Sequence, residues 1–523
     1  MTYLRRNRTA ALVALLCALI AVAQVRLSGQ KGGGRQSPQR IKHLVVIVQE
    51  NISFDHYFAT YPNAANPPGE PAFNALPGTP SVNGLNGGLL TRNPNSFQPF
   101  RLDRSQQLIC GPTPGYTAEQ SAYHSGLVDR FPEFTGQVSN TTPPCDFGLG
   151  RNVVMGYYDG NTVTALWNYA QHFAMSDNYF GTTFGQSAPG HINLVSGQTH
   201  GLTLVRTDTN ADLVVVSGTM SGPGGAIDDC ENSVGTQVVM TGRNVGDLLN
   251  ARGVTWGYFS GGFAPTSRDA DGKAICGSGH SGLTTIPTPD YVPNHEPFQK
   301  YPSTANPHHL APSSIAMIGY SDQASHQYDL AHFWQAATAG NFPAVSFLEA
   351  PSYLDGHAQA SSALDEQRFL VDTLNRLQKT PEWESTAVII TYDDSGGWYD
   401  HVMPPLVSQS NTPLDALTGI GSCGVAATGA YQGRCGYGPR LPMLVISPWA
   451  RVNFVDHQIT DQSSILRFIE DNWALGRIGD QSFDERAGSL VTLFDFGPRL
   501  GAAKKLFLDP VSGQPVEESN VAQ

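Results

Sequence analysis

Apolar residues in this chain gather in short runs that glycine, proline and polar residues interrupt. Residues 41–48 and 387–392 are two such runs, rich in valine and isoleucine. A continuous apolar run of this length is typical of a strand that is buried on both faces. Shorter runs at residues 344–349 and 441–447 predict two more strands.

The best-defined helix of the sequence is predicted over residues 361–380. Its apolar residues keep helical spacing, at Leu364, Leu370, Val371, Leu374 and Leu377. Ser362 and Asp365 resemble a capping box at its start, and Pro381 ends the pattern. This helix leads directly into the strand over 387–392.

Strands and helices alternate through the C-terminal half of the chain. Residues 162–173 and 460–473 predict two further helices. The alternation predicts an α/β fold with a largely parallel central sheet flanked by helices. Residues 196–228 and 258–307 predict long loop insertions with short strands, which form a cap over one end of the sheet.

The composition is that of a large globular protein with many loops. The chain has 523 residues, of which 40% are hydrophobic and 14% charged, with 55 glycines and 36 prolines. A net charge of −13 argues against a nucleic-acid partner, because binding a phosphate backbone needs a basic surface. It does not exclude a small anionic substrate, since a metal ion can outweigh the global charge locally.

The N-terminus has the pattern of an export signal. Three arginines precede an apolar stretch over residues 10–20, and the Ala-Val-Ala sequence of a cleavage site follows it at residues 21–23. This stretch is too short for a comfortable membrane span, so we expect a cleaved signal peptide over 1–23 rather than an anchor. The protein is then periplasmic or extracellular. A flexible leader is expected over 24–40, a single large domain over 41–511 and a C-terminal tail over 512–523.

The cysteines fit an exported protein. Cys17 lies in the signal, which leaves six of the seven cysteines in the mature chain. An even number in an exported chain predicts disulfides, and clustering along the sequence favours three local pairs: Cys110–Cys145, Cys230–Cys276 and Cys423–Cys435. No CxxC spacing is present, so a zinc–thiolate site is not expected.

Carboxylates follow two of the predicted strands. Glu50 and Asn51 come after the first strand, and Asp393 and Asp394 come after the strand over 387–392. In open α/β sheets, ligands bind at the carboxyl ends of the strands. Two adjacent carboxylates also need a cation or protons to coexist. A metal site is therefore one interpretation, and an acidic turn without a ligand is the other.

Ser187 offers a candidate nucleophile. It lies between Gly185 and Gly190, two residues before Pro189, which fits a hydroxyl at a helix N-terminus. Such a terminus attracts phosphate, and a metal or base could activate the serine for attack on phosphorus. An ordinary capping serine is the alternative. Histidines in predicted loops could hold and protonate a phosphoryl group: His124, His295, His308, His309, His357 and His401.

Four motifs together resemble those of the bacterial phosphoesterase family that contains secreted phospholipases C and acid phosphatases. They lie at residues 50–58, 175–180, 295–309 and 392–402. The resemblance spans about residues 41–511. The family's fold is similar to that of alkaline phosphatase, which implies a largely parallel sheet between helices.

The resemblance also implies the site. One divalent metal ion of unknown identity would be held by Glu50, Asn51, Ser187, Asp393 and Asp394. Ser187 would be the nucleophile and would form a phosphoserine intermediate. The phosphoryl group would be contacted by His357, by His295 or the His308–His309 pair, and by His124. The nucleophile segment departs from the family pattern, since Gln186, Gly190 and His191 replace Pro, Asn and Arg; we expect this to affect substrate contacts.

The sequence thus predicts an exported, metal-dependent hydrolase of phosphate esters, with an acid phosphatase as the first interpretation. The chain ends soon after residue 510, which leaves no room for the extra C-terminal domains of some phospholipases. A phospholipase C acting on phospholipid is the alternative, with an apolar rim supplied by Tyr353, Leu354 and Trp398. A catalytically inactive surface-binding protein is the alternative of another class. The sequence leaves the oligomeric state open.

Overall fold

The computed structural model describes most of the chain from Arg40 to Asn520. The residues outside this description are 1–39, 137–144, 207–214, 217–218, 221–224, 232–236, 284, 286, 411–422, 425–427, 429–432, 499–502 and 521–523. The expected signal peptide over 1–23 and nearly all of the expected leader therefore lie outside the described residues. Arg40–Gln523 form one compact unit.

A central sheet of eight strands organises the fold. In chain order the strands are His43–Gln49 (β1), Ala174–Ser176 (β2), Trp256–Ser260 (β3), Gln327–Asp329 (β4), Val345–Glu349 (β5), Thr386–Tyr392 (β6), Met443–Ile446 (β7) and Phe454–Asp456 (β8). Their spatial order is β4-β3-β5-β1-β6-β7-β2-β8. Five of the seven strand pairs are parallel. Only β7 runs antiparallel to its neighbours within this sheet, so the prediction of a largely parallel sheet is confirmed.

Helices flank the sheet, as the α/β pattern predicts. They are Phe54–Phe58 (α1), Gly87–Thr91 (α2), Tyr116–Tyr123 (α3), Phe131–Phe134 (α4), Thr164–His172 (α5), Ser187–Ser196 (α6), Val245–Arg252 (α7), Leu330–Thr338 (α8), Ala363–Leu377 (α9) and Ser463–Trp473 (α10). The predicted capping residue Ser362 accepts a hydrogen bond from the backbone N–H of Asp365. Helix α9 therefore begins where its sequence pattern indicates.

Paired short strands occur in the insertions and elsewhere outside the central sheet. One boundary of the predicted insertions is wrong. The expected loop over 258–307 begins inside β3, a strand of the central sheet. All five residues of β3 are buried, although the strand is short and Gly257 interrupts its apolar sequence. The short pairs are Phe100–Arg101 with Gly156–Tyr157, Tyr179–Phe180 with Thr460–Asp461, Leu202–Arg206 with Gln237–Met240, Val215–Val216 with Thr219–Met220, Ser267–Arg268 with Ala274–Ile275, and Gly279–His280 with Thr288–Pro289.

The core lies around the middle of the sheet. Every residue of β6 and all but the first of β1 are buried. Both faces of these strands are therefore covered, which explains why the strands are apolar without alternation.

The three predicted disulfides are present, at Cys110–Cys145, Cys230–Cys276 and Cys423–Cys435. Across the described part of the chain, no helix has both the length and the apolar character needed to cross a membrane.

A buried ion network joins the segments that follow β1 and β6. The Arg440 guanidinium donates to both oxygens of Asp400, at 2.9 and 3.0 Å, and to Asp55 at 3.1 Å. Arg440 and Asp400 are fully buried, and Asp55 is 1% exposed. His401 also contacts Asp55, at 2.6 Å. Because the Arg440 cation is fixed between these carboxylates, the network stabilises the conformation of the two segments that follow β1 and β6.

We expect Arg440→Gln to lower the free energy of unfolding by about 3–5 kcal/mol, because it leaves two buried carboxylates without their cation. Urea unfolding followed by tryptophan fluorescence measures the change. Lys505→Gln is the control, since Lys505 forms a partly exposed pair with Glu518 and should cost less than about 1 kcal/mol. A loss for Arg440→Gln no larger than that of the control would contradict a structural role for this network.

Candidate active site

Three adjacent strands place carboxylates at one end of the sheet. Strand β5 ends in Glu349, which pairs with Val48 of β1, and Gln49 pairs with the last residue of β6. The next residues along β1 and β6 are Glu50 and Asp393. The parallel register therefore sets Glu50 level with Asp393 and places Glu349 two residues behind Glu50 on the same face of the sheet. All three lie near the strand ends where an open α/β sheet binds its ligands.

The turns after these strands are tied to each other. The backbone N–H of Asn51 donates to the Asp393 carboxylate at 2.7 Å, and the Asn51 amide donates to Glu50 at 2.7 Å. Asn51 has a φ of 60°, a left-handed conformation that non-glycine residues seldom adopt. Such strain is typical of functional sites, where the surrounding structure holds an otherwise unfavourable backbone conformation.

Glu50, Asp393 and Asp394 together are called the acidic group. Ser187 is the first residue of α6 and faces this group. Its Oγ lies 3.2 Å from Glu50 Oε2 and 3.3 Å from Asp394 Oδ2, with the Asn51 amide 3.5 Å away. The five residues that the family resemblance assigned to a metal therefore lie together: Glu50, Asn51, Ser187, Asp393 and Asp394. Their role as ligands stays a prediction.

Gly190 allows α6 to approach the end of β6. A Cβ atom at this position would lie 2.1 Å from the carbonyl oxygen of Asp393, far inside van der Waals contact. His191, the next residue, is buried and places its Nε2 2.7 Å from Glu50 Oε1. Two of the residues that depart from the family pattern, Gly190 and His191, thus pack against the acidic group. The expectation that the departures affect substrate contacts stays a prediction.

Burial makes the acidic group electrostatically unfavourable without a counter-charge. Burial raises the pKa of Glu50 well above its ordinary value, and the Asp393 carboxylate raises it further. The pKa of Asp394 is raised by the same two causes. Burial also raises the pKa values of Glu349 and Asp355. Several carboxyl groups therefore need either protons or a cation to remain together.

The donor set fits a divalent cation. Asp393 Oδ2 is buried and has no hydrogen-bond donor among the described residues. No lysine or arginine of the described chain forms an ion pair with Glu50, Asp393 or Asp394; Glu50 pairs only with histidines. Carboxylate, amide and hydroxyl oxygens are ligands that Ca²⁺, Mg²⁺ and Mn²⁺ prefer. The residues present are therefore suited to hold the metal that the family resemblance implies.

Two histidines lie against the acidic group. His295 Nδ1 is 3.1 Å from Glu50 Oε1, and its ring stacks on that of His191 with centroids 5.1 Å apart. Burial lowers the pKa of His191 to about 4 and lowers the pKa of His295 well below its ordinary value. Burial therefore disfavours the charged form of both rings.

A cavity of about 460 Å³ opens beside the acidic group. Asn51 forms part of its wall, together with His357 and Trp398. His357 Nδ1 lies 2.7 Å from the carbonyl oxygen of Ala358, so it carries the proton of that bond. Tyr353 and Leu354, expected with Trp398 at an apolar rim, are half-buried and are not among the described residues that line this cavity.

Four of the predicted histidines contact other groups. His401 Nδ1 lies 2.6 Å from Asp55. His124 Nδ1 lies 2.7 Å from Asp129. His309 is buried with its Nε2 2.7 Å from Asp228, and His308 is exposed with its Nδ1 3.2 Å from Asp229. Their described hydrogen bonds do not reach the acidic group. A role for them at the phosphoryl group stays a prediction, whereas His295 and His357 lie at the site or at its cavity.

Sequence reasoning missed four residues of the site. Glu349 is the last residue of β5 and Asp355 follows that strand, so a strand-end signal was present in the sequence. His191 lies one helical turn after Ser187 and hence on the same face of α6. Glu119 carried no sequence signal, because only the tertiary fold places it between the Gly185 N–H, at 2.9 Å, and the Ser395 hydroxyl, at 2.6 Å. These bonds tie the loop before Ser187 to the turn after Asp394.

Comparisons with known proteins identify relatives of this chain. The sequence model of the phosphoesterase family matches residues 41–476. Phospholipase C A of Mycobacterium tuberculosis is 26% identical over 501 residues, which cover 89% of this chain and 82% of that protein. Non-hemolytic phospholipase C of Pseudomonas aeruginosa is 23% identical over 445 residues, which cover 83% of this chain. The match spans 54% of that protein, about half its length.

A plant phospholipase C and one solved structure are also similar to this chain. Non-specific phospholipase C6 of Arabidopsis thaliana is 23% identical over 80% of this chain and 63% of its own length. Among solved structures, a protein in the alkaline phosphatase superfamily from Vibrio parahaemolyticus is similar at 12% identity with a TM-score of 0.27. That similarity covers 60% of this chain and 62% of the other.

Gly190→Ala tests the close approach of α6 to β6. We expect the added methyl group to push Ser187 away from the acidic group, lowering kcat at least tenfold and stability by about 1–3 kcal/mol. Steady-state kinetics and urea unfolding measure the two effects. Gly87→Ala is the matched control, because Gly87 is also helical but has no atom within 4 Å of the added Cβ. Equal behaviour of the two variants would show that the close approach is not required.

Proposed function

The chain belongs to the phosphoesterase family, and on this premise we propose that it is a metal-dependent hydrolase of phosphate esters, acting on phospholipid head groups as a phospholipase C. The observation that carries this proposal is the Ser187 hydroxyl, held between Glu50 and Asp394. It lies next to Asn51, which lines the cavity. A hydroxyl at the start of a helix, beside carboxylates and an open cavity, is the arrangement that a nucleophile for phosphorus needs.

The five residues Glu50, Asn51, Ser187, Asp393 and Asp394 would hold the metal ion. When bound, the ion would supply positive charge that favours the serine alkoxide and offsets charge on the phosphoryl oxygens. The protein itself positions the nucleophile and keeps water away from one side of it. Gly190 and Glu119 fix the position of the Ser187 loop, and burial of the carboxylates excludes water from this side of the nucleophile.

The reaction would proceed in two steps at the Ser187 oxygen. Glu50 or Asp394 accepts the serine proton, since both carboxylates already accept its hydrogen bond. The Ser187 Oγ–P bond forms as the bond from phosphorus to the leaving oxygen breaks. Water then attacks the phosphorylated serine, which releases the phosphate product and restores the hydroxyl.

His357 would exchange a proton with the leaving oxygen. It lines the cavity, and its Nδ1–H is engaged by the Ala358 carbonyl, so Nε2 is the nitrogen for this task. A protonated Nε2 donates to the departing alkoxide and returns to the neutral form. The same nitrogen can then accept a proton from the water that attacks the intermediate.

The names of the relatives support a phospholipase C over the acid phosphatase that the sequence first indicates. Trp398, Pro112 and Pro114 add apolar surface to the cavity, which suits the diacylglycerol part of a phospholipid. An acid phosphatase needs the same nucleophile but no lipid contact. Export is proposed as well, since three disulfides form and persist in an oxidising compartment.

Ser187→Ala should turn over substrate at least about a thousandfold more slowly, the scale of losing a catalytic nucleophile. Acid quenching of the native enzyme during turnover should leave the phosphoryl product on the peptide that contains Ser187, detected by mass spectrometry. Ser196→Ala is the control, because Ser196 is a buried serine of the same helix whose hydroxyl donates to the backbone carbonyls of Ile192 and Gln198. Near-normal activity of the Ser187 variant would favour direct attack by water.

A substrate comparison separates the two activities. We expect kcat/KM for phosphatidylcholine vesicles to exceed that for p-nitrophenyl phosphate at least tenfold, with diacylglycerol as a product. Both assays use the same mature protein with the same added divalent metal, and the Ser187→Ala variant supplies the background rate. The reverse ratio would assign the protein as a phosphatase of soluble monoesters, while leaving the nucleophile unchanged.

A further inference from the structure

Glu50 faces two different groups with its two oxygens. Oε2 accepts from the Asn51 amide at 2.7 Å and lies 3.2 Å from Ser187 Oγ, on the side of the proposed nucleophile. Oε1 lies 2.7 Å from His191 Nε2 and 3.1 Å from His295 Nδ1. The carboxylate therefore separates an oxygen-rich group from a second group that contains imidazole nitrogens.

Glu349 closes the second group. Its Oε2 lies 3.9 Å from His191 Nδ1, and its Oε1 lies 4.0 Å from His295 Nδ1. One ligand atom from each of Glu50, His191, His295 and Glu349 lies within 4.8 Å of the others. All four residues are buried. Two ligands of a single zinc-like ion lie about 3–4 Å apart, given metal–ligand bonds of about 2.0–2.2 Å, so this spacing suits one shared ion.

Two atoms of the second group have no hydrogen-bond partner among the described residues. They are His191 Nδ1 and Glu349 Oε1, and both residues are at most 2% exposed. The other oxygen of Glu349 accepts from the Tyr258 hydroxyl at 2.8 Å, which fixes the orientation of the carboxylate. Buried polar atoms normally have partners, so these two indicate a ligand that belongs between them.

We propose that Glu50, His191, His295 and Glu349 bind a second divalent cation, with Glu50 bridging it to the ion of the proposed function. The inference rests on that function only for the first ion. Two imidazoles and two carboxylates suit Zn²⁺ and other borderline ions, whereas the oxygen-rich group suits Ca²⁺, Mg²⁺ or Mn²⁺. The two positions therefore select different classes of metal.

The same residues offer one competing explanation. A histidine pair between two carboxyl groups can form a hydrogen-bonded network in which protons take the place of the cation. Such a network would hold no metal and would give no signal from nitrogen ligands. The two explanations therefore differ in metal content and in the spectrum of a bound ion, besides any effect on activity.

The test uses the mature full-length protein, stripped with chelator and then loaded with Co²⁺. We expect two equivalents per chain by elemental analysis, and a visible absorption band from the ion with nitrogen ligands. His191→Gln and, independently, Glu349→Gln should each bind one equivalent and lose the band. Asp394→Asn should also bind one equivalent but keep the band, because Asp394 contacts only the oxygen-rich side.

His326→Gln is the matched control, since His326 is a buried histidine whose Nδ1 contacts the Trp256 carbonyl, away from both groups. It should bind two equivalents and keep the band. Circular dichroism of every variant checks the fold, and His295→Gln replaces His191→Gln if the latter does not fold. One equivalent in the native protein, with a spectrum unchanged in His191→Gln, would overturn the second site and leave the proposed function intact.

The opposite result separates the two proposals. If the native protein binds one equivalent whose band is lost in His191→Gln and kept in Asp394→Asn, the nitrogen-containing site is supported. The oxygen-rich metal site of the proposed function then fails. The stoichiometry and the spectrum together therefore distinguish failure of the second site from failure of the first.

Discussion

Mutual repulsion between carboxyl groups at the buried end of the sheet is the constraint on which the site depends. Two unit charges about 4 Å apart repel by about 4 kcal/mol at an effective dielectric constant of 20. The carboxyl groups gathered here are Glu50, Glu349, Asp355, Asp393 and Asp394. Packing of the surrounding protein holds them together in spite of this repulsion. The arrangement is therefore suited to cations, since a positive ion turns the unfavourable interactions into favourable ones.

The Arg440 network shows how the same protein treats carboxylates with a structural role. Asp55 and Asp400 are as deeply buried as those of the site, but the guanidinium neutralises them with hydrogen bonds of 2.9–3.1 Å. The two acidic groups therefore differ in the origin of their counter-charge. For Asp55 and Asp400 the counter-charge is a residue of the chain, Arg440. Glu50 and Asp393, by contrast, form no ion pair with a lysine or arginine of the described chain. That difference separates a group that stabilises the fold from one suited to chemistry.

Helix α6 connects packing to function. Gly190 lets the helix lie directly on the backbone of Asp393, and this contact brings the Ser187 hydroxyl between two carboxylates. His191 extends the same face of the helix to the other oxygen of Glu50. A single turn of helix thus supplies the proposed nucleophile, the close contact and an imidazole.

The sequence by itself determined four of the eight central strands (β1, β5, β6 and β7), helix α9, the three disulfide pairs and the residues that follow β1 and β6. These features depend on local patterns: apolar runs, helical spacing, caps and neighbouring cysteines. Strand β3 was assigned partly to a loop because it is short and its one glycine interrupts the apolar run, although the sheet buries it. Strands β2, β4 and β8 have only three residues each and were not predicted. Only the tertiary structure decided that Glu349, Glu119 and His191 join the site and that His308 and His309 contact other carboxylates. The physical reason is that strand order and register set distances between residues far apart in sequence, and no local pattern records them.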